Sequence, residues 1–276
     1  MATRFDVTFH RLHADGLLML ANAWDAGSAR IVEHLGSKAV ATSSAAVAWS
    51  HGYPDGDKLP LNLLLATVKS MARLLTVPLT VDIESGYSDD PKQVADLVGA
   101  VVDAGAVGIN IEDGAAAPDL LCRKIDSAKQ AAALRGVDLF INARTDVYLR
   151  RLVPAEQRVT ETLLRAERYR ASGASGLFVP GLLDAREIMA IASGTQLPLN
   201  VMALGGLPPP DQLASLGVRR LSAGSGIAEA LHASLHAMAQ RFLETGQLSE
   251  AGHRALSYTE LNALMARPTK GDAELS

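Results

Sequence analysis

Along the chain, short runs dominated by apolar residues alternate with longer stretches in which apolar residues recur every three or four positions. The short runs are LLMLANAW (17–24), KAVATSS (38–44), PLTVDIE (78–84), VGINIED (107–113), DLFINART (138–145), GLFVPG (176–181), PLNVMA (198–203) and RRLSAG (219–224). Most are apolar on consecutive positions, the pattern of parallel strands covered on both faces. Helix signals lie between them. Asp90 and Pro91 supply an N-cap and first-turn pair, Val94, Leu97, Val98, Val101 and Val102 form one stripe, and Gly105 follows. Residues 154–172 repeat the pattern, with Val159, Leu163 and Ala166 on one side and Gly173 past the end. The alternation predicts an α/β fold, a (β/α)8 barrel of the TIM type, as one domain over 1–276. A helix beginning near Ile227 completes the repeat. A further helix in 247–267 is surplus to it, and its Leu256, Leu261, Leu264 and Met265 suit packing on the same barrel or on a neighbouring subunit. The tail 268–276 is expected to be disordered.

Composition narrows the function classes. A length of 276 residues fits one barrel, and 48% hydrophobic with only 4% aromatic residues suits close helix-on-sheet packing. A net charge of -4 with no run of Lys or Arg argues against nucleic-acid binding. No stretch approaches the roughly 20 apolar residues of a membrane span, and the opening residues hold no signal core, so a soluble cytoplasmic protein is expected. Cys122 is the single cysteine and has no partner for an internal disulfide.

In parallel barrels, side chains at the carboxyl ends of the strands converge on the functional face. Those ends here carry Trp24 and Asp25, Ser43 and Ser44, Asp82 and Glu84, Glu112 and Asp113, Arg144 and Asp146, and Asn200. Asp82 and Glu84 are two apart and would share a strand face, with Glu112 ending the next strand. Three acids so close call for a hard cation, Mg²⁺ or alternatively Mn²⁺; helix capping or rim ion pairs would explain single acids equally. Arg144 suits a bidentate grip on a substrate carboxylate, or an ion pair with Asp146 or Glu112. Ser43 and Ser44 offer hydroxyl and backbone donors, with helix capping as the rival role. Glycines at 205, 206, 224 and 226 leave a phosphate-binding barrel as an alternative, although tight turns demand glycine anyway. His232 and His236 lack a third metal ligand nearby, and His51 shares a loop with Asp55.

The segments WDAGSARI (24–31), TSSAAVAWSHGYPDG (42–56), VDIESGYSDDP (81–91), INIEDG (109–114) and INARTD (141–146), in this order at successive strand ends, resemble the isocitrate lyase/phosphoenolpyruvate mutase superfamily. The resemblance implies a modified α/β barrel, commonly tetrameric, whose last barrel helix is exchanged between paired subunits. It implies Mg²⁺-dependent attack on a C–C or C–P bond beside a 2-oxo group, through an enolate, in a small 2-oxo or 2-hydroxy carboxylate. By the same resemblance, Asp82 binds the metal directly, Glu84 and Glu112 directly or through water, and Arg144 stabilises the enolate. Ser43 with the N–H groups of Ser44 and Ala45 holds the carboxylate, and Asp55 faces the reacting end; Trp24 and Asn200 are candidate substrate-binding residues from their places at strand ends alone. Glu84 stands where many members have Asp. The Lys-Cys-Gly-His loop of the isocitrate lyases is missing, since 114–128 reads GAAAPDLLCRKIDSA, and so is the Lys and Asn pattern of the phosphonate mutases. Cys122 therefore reads as a packing residue, with a thiol activated by Arg123 and Lys124 as the alternative. A catalytically silent, carboxylate-binding barrel is the remaining alternative.

Overall fold

The computed structural model describes residues 4–248 and 256–266. Nine parallel strands run in the order β1-β9-β8-β7-β6-β5-β4-β3-β2. The two ends of that order, β1 (Leu18–Leu20) and β2 (Asn22–Ala23), are halves of one stave interrupted at Ala21, so the sheet curls into a nearly closed barrel. The other staves are β3 (Val40–Thr42), β4 (Leu79–Asp82), β5 (Gly108–Glu112), β6 (Phe140–Arg144), β7 (Gly176–Phe178), β8 (Leu199–Met202) and β9 (Val218–Ser222). Each lies within a run expected from the sequence, apart from the one-residue extension of β9 to Val218.

Helices follow the staves: α2 (Ala26–His34), α3 (Ser44–Ser50), α4 (Leu61–Leu74), α5 (Pro91–Asp103), α6 (Pro118–Ala133), α7 (Arg158–Ala171), α8 (Ala185–Gly194), α9 (Pro210–Ser215) and α10 (Gly226–Thr245). Helix α5 begins as its sequence predicts, with the Asp90 carboxylate accepting from Lys92 N at 3.0 Å and Pro91 at its first position. Its stripe from Val94 to Val102 is buried against the sheet. Asp25 caps α2, accepting from Ser28 N at 2.6 Å. In 154–172 the first turn is a short 3-10 segment, Ala155–Gln157, and the α-helix starts at Arg158.

The barrel interior is layered. At the amino-terminal mouth, α1 (Phe5–Leu12), which the sequence pattern did not announce, lowers Phe9 among Leu18, Leu20, Ala39, Ala41 and Phe140. Gly108 makes room for that ring: a Cβ there would lie 2.7 Å from the Phe9 edge. Above this plug sits a belt of buried amides. Asn142 donates to Asn110 and to Asn200, both at 3.0 Å, and the fully buried Arg220 donates to Asn110 at 3.3 Å and to Ser222 at 3.2 Å. Buried polar groups need such partners, and the belt supplies most of them from one another.

Helix α10 departs from the pattern. Only Ala228 is buried along its length, and Ile227, Leu231, Leu235, Phe242 and Leu243 are exposed. Met19, facing outward from β1, is 58% exposed. The surplus helix is shorter than expected, α11 (Tyr258–Met265), and packs on its own barrel: Arg30 of α2 donates to Leu264 O at 3.0 Å. The rest of the helix expected in 247–267, and the tail 268–276, lie outside the described residues except for 247–248, 256–257 and 266. No helix among the described residues is long and apolar enough to cross a membrane.

Candidate active site

The carboxyl ends of the strands enclose a cavity of about 140 Å³. Asp82 forms its acidic floor, Arg144 one wall, Ser43, Ser44 and Ala45 another, and Asp55 reaches in from the α3–α4 loop. Leu149, Phe178 and Met202 supply an apolar side.

Asp82 ends β4 and is held on all sides. Its N–H donates to Thr42 Oγ1 at 2.8 Å, and its carboxylate accepts from Glu84 N at 3.0 Å and Asn110 Nδ2 at 3.2 Å. Burial raises its pKa; Arg144 and these hydrogen bonds oppose that rise, and Asp55 adds to it. Arg144 ends β6. Its Nε and Nη2 clasp Asp146 in bidentate fashion at 2.7 and 3.1 Å, and its Nη1 meets Glu112 at 2.6 Å. Burial disfavours the guanidinium, but Glu112 and Asp146 more than offset that, and the cation is held charged. Because Arg144 divides its charge between two acids, Glu112 is only partly compensated, and burial pushes its carboxyl up to about 8. Asp146 is anchored in turn: its N–H donates to Asp113 at 2.9 Å, and Asp113 accepts from Arg165 at 2.8 Å and Tyr169 at 2.6 Å. The guanidinium therefore has one orientation, with Phe178 5.9 Å from its centre.

Ser43 caps α3, accepting from Ala46 N at 3.4 Å, so capping and a place in the cavity coexist. The Ser44 and Ala45 N–H groups belong to the first turn of that helix, where backbone donors lack intrahelical partners.

Several expected residues lie elsewhere. Among the described residues, no three His, Cys, Asp or Glu side chains form a group that could by itself hold a metal ion, yet Asp82 and Glu84 both lie near enough to Glu112 to help raise its pKa. Strand pairing ends at Asp82, and Glu84 takes a left-handed backbone, φ +53°, so the two-residue alternation no longer applies to it. The Glu84 carboxylate instead accepts from Gly56 N at 2.8 Å, from Asp57 N and from the Tyr87 hydroxyl at 2.8 Å. Glu112 is turned to Arg144. Trp24 lines a separate hollow with His51 and Thr67, where His51 Nε2 pairs with Thr67 Oγ1 at 2.8 Å. Asn200 belongs to the amide belt beneath the cavity, its side chain engaged by Asn142, Val201 O, Arg220 O and Ser222. Gly224 lines the cavity, but its N–H is spent on Asn22 Oδ1 at 3.0 Å; Gly205, Gly206 and Gly226 are not among the lining residues. Cys122 lies in α6, partly buried against the core. His232 sits on α10 with its ring 6.2 Å from that of Trp49. Asn22, Asn110, Ser222 and Ser225 complete the lining and were not singled out in the sequence. The signal for Asn110 and Asn142 was available: each is a lone amide between apolar residues in mid-strand.

The carboxyl mouth of this parallel barrel thus holds an anchored guanidinium facing a buried acid. The phosphoenolpyruvate phosphomutase family model matches residues 9–243, and the chain belongs to that family, within the PEP mutase/isocitrate lyase superfamily. It is 32% identical over 263 residues to an oxaloacetate decarboxylase of a Bradyrhizobium strain, covering 89% of this chain and 86% of that one. A crystal structure from Burkholderia cenocepacia J2315, provisionally named a phosphonomutase, is 39% identical with a TM-score of 0.82 and covers 86% of this chain and 100% of its own. Phosphonopyruvate hydrolase, solved with oxalate and Mg²⁺, shares the fold at 21% identity, a TM-score of 0.82 and 95% coverage of both chains.

Proposed function

We propose that this protein is a Mg²⁺-dependent carbon–carbon lyase of a small 2-oxo acid, with oxaloacetate decarboxylation as its leading activity. The observation that carries this reading is the pairing of Asp82 and Arg144 across one small cavity. The relation to an oxaloacetate decarboxylase and the absence of both the lyase and the mutase loops in 114–128 support the choice.

The donor chemistry fits a magnesium site. Mg²⁺ ordinarily takes one or two carboxylates, keeps several waters and completes its octahedron with substrate oxygens, so it needs no protein cage. Asp82 would hold it directly, with Glu112 acting through water, and Mn²⁺ would substitute. When bound, the metal draws electron density from the 2-oxo group. The protein does the rest. Ser43 and the Ser44 and Ala45 N–H groups orient the carboxylate beside the 2-oxo group. Arg144 stands ready for the negative charge that develops on the 2-oxo oxygen as the C3–C4 bond of oxaloacetate breaks. Carbon dioxide leaves, its bonding electrons remain as the pyruvate enolate, and C3 then takes a proton from water. Asp55 overhangs the reacting end.

We also propose a homo-oligomer, dimer or tetramer, in which a second copy covers the apolar face of α10 and the open flank around Met19. A cytoplasmic setting suits the lone, unpaired Cys122. The deciding assay offers oxaloacetate, phosphonopyruvate, 2-methylisocitrate, isocitrate and alkylmalates with Mg²⁺. Pyruvate and carbon dioxide from oxaloacetate are expected, with little glyoxylate from isocitrate. Turnover of none of them would leave a silent carboxylate-binding barrel and overturn the proposal.

A further inference from the structure

Four residues other than glycine hold a left-handed backbone among the described residues, and three of them, Asp57, Glu84 and Tyr87, form one cluster. Each such residue costs on the order of 1 kcal/mol, so a cluster persists only when its surroundings hold it. Here two carboxylates on opposite sides each bind the segment that carries the other. Glu84, directly after β4, accepts from the N–H groups of Gly56 and Asp57 in the α3–α4 loop. Asp57, from that loop, accepts in return from the Ser85 hydroxyl at 2.6 Å and Tyr87 N at 3.2 Å. The Tyr87 hydroxyl occupies the other Glu84 oxygen at 2.8 Å. The buried Lys124 steadies the turn from behind, donating to Ser85 O at 2.8 Å.

The loop so held is otherwise lightly anchored. Gly52, Tyr53, Pro54, Asp55 and Gly56 are exposed, and the chain re-enters the core only at Leu59. Asp55 adjoins Gly56, the first residue gripped, and is the loop residue that lines the cavity.

We infer that Glu84 is the latch of the Asp55 loop and not a ligand of the metal. Both oxygens of this carboxylate already have partners, three hydrogen bonds in all and two of them from backbone amides, so neither is left open for a cation. To reach the metal it would have to release the loop. The longer side chain at 84 accounts for the reach; an Asp here would fall one methylene short of the Gly56 and Asp57 amides. Glu84, Asp57 and Tyr87 are thus positioning residues: they set Asp55 over the cavity and touch no substrate. The effect on turnover rests on the proposed lyase reading, whereas the latch itself does not.

Hydrogen–deuterium exchange across 51–58, read beside Mn²⁺ titration by electron paramagnetic resonance, separates latch from ligand. In Glu84→Asp the loop amides should exchange at least about tenfold faster with the rest of the barrel unchanged, since local opening sets amide protection. The Mn²⁺ Kd should move less than about threefold, a change of under ~0.7 kcal/mol. Tyr87→Phe, which keeps the acid and removes one bond, should loosen the same segment to a smaller degree and decides the matter if Glu84→Asp fails to fold. If oxaloacetate is turned over, kcat should fall at least about tenfold in Glu84→Asp with its melting temperature maintained. Unchanged loop exchange in both variants, or a more than tenfold loss of Mn²⁺ affinity in Glu84→Asp, would overturn the inference. Failure of the lyase reading would leave the exchange readout intact.

Discussion

The two mouths of this barrel are built from opposite chemistry. At the amino-terminal end, α1 inserts Phe9 into an apolar layer with Phe140, and His13 stacks on Phe140 at 3.9 Å. At the carboxyl end, Asp82, Glu112, Arg144 and Asp146 crowd together with too few counter-charges, and burial raises the pKa of Asp82 and Glu112. The first arrangement lowers the free energy of the fold, while the second stores unfavourable electrostatics that the proposed cation would relieve. The belt of Asn110, Asn142, Asn200 and Arg220 separates them, so the ends should fail independently.

Removing the plug gives the largest effect on stability at neutral pH. Phe9→Ala deletes a fully buried ring and should cost about 3–5 kcal/mol in denaturant titration. The folded fraction should keep its kcat, and a matching loss of kcat per folded molecule would show the ends to be coupled.

A pH-dependent effect comes from His13, whose pKa burial, helped by the nearby charge of Arg220, lowers from 6.5 to about 3. The folded state keeps this imidazole neutral, whereas the unfolded chain protonates it below 6.5. Its contribution is therefore present above 6.5 and is lost as pH falls from 6.5 towards 3, at about 1.4 kcal/mol per pH unit. His13→Leu should flatten that slope in urea titrations at pH 4 to 7. An unchanged slope would assign the acid sensitivity to the other mouth.

The staves were legible because parallel strands covered on both sides read as apolar runs, and the positions of Asp82, Arg144 and Ser43 followed from where those runs end. Other features arise from tertiary structure alone. The break at Ala21 divides one stave into a half that pairs with β9 and a half that pairs with β3. Helix α1 lies before the repeat and was not marked by it. Glu84 was expected to share a strand face with Asp82, but it lies two residues past the last paired residue, in a turn whose left-handed backbone no periodicity reveals. Asp57 and Tyr87 gave no signal because Pro-Asp-Gly-Asp reads as an ordinary turn until its partners across 28 or more residues are known.

The central claim is that Asp82 holds a divalent cation against which an oxo acid binds. Thermal unfolding with saturating Mg²⁺ and oxalate tests it directly, because a ligand that binds only the native state must raise its melting temperature. The native chain and Phe9→Ala should both shift upward with the pair present together, and Asp82→Asn should not. A full shift in Asp82→Asn would contradict the account.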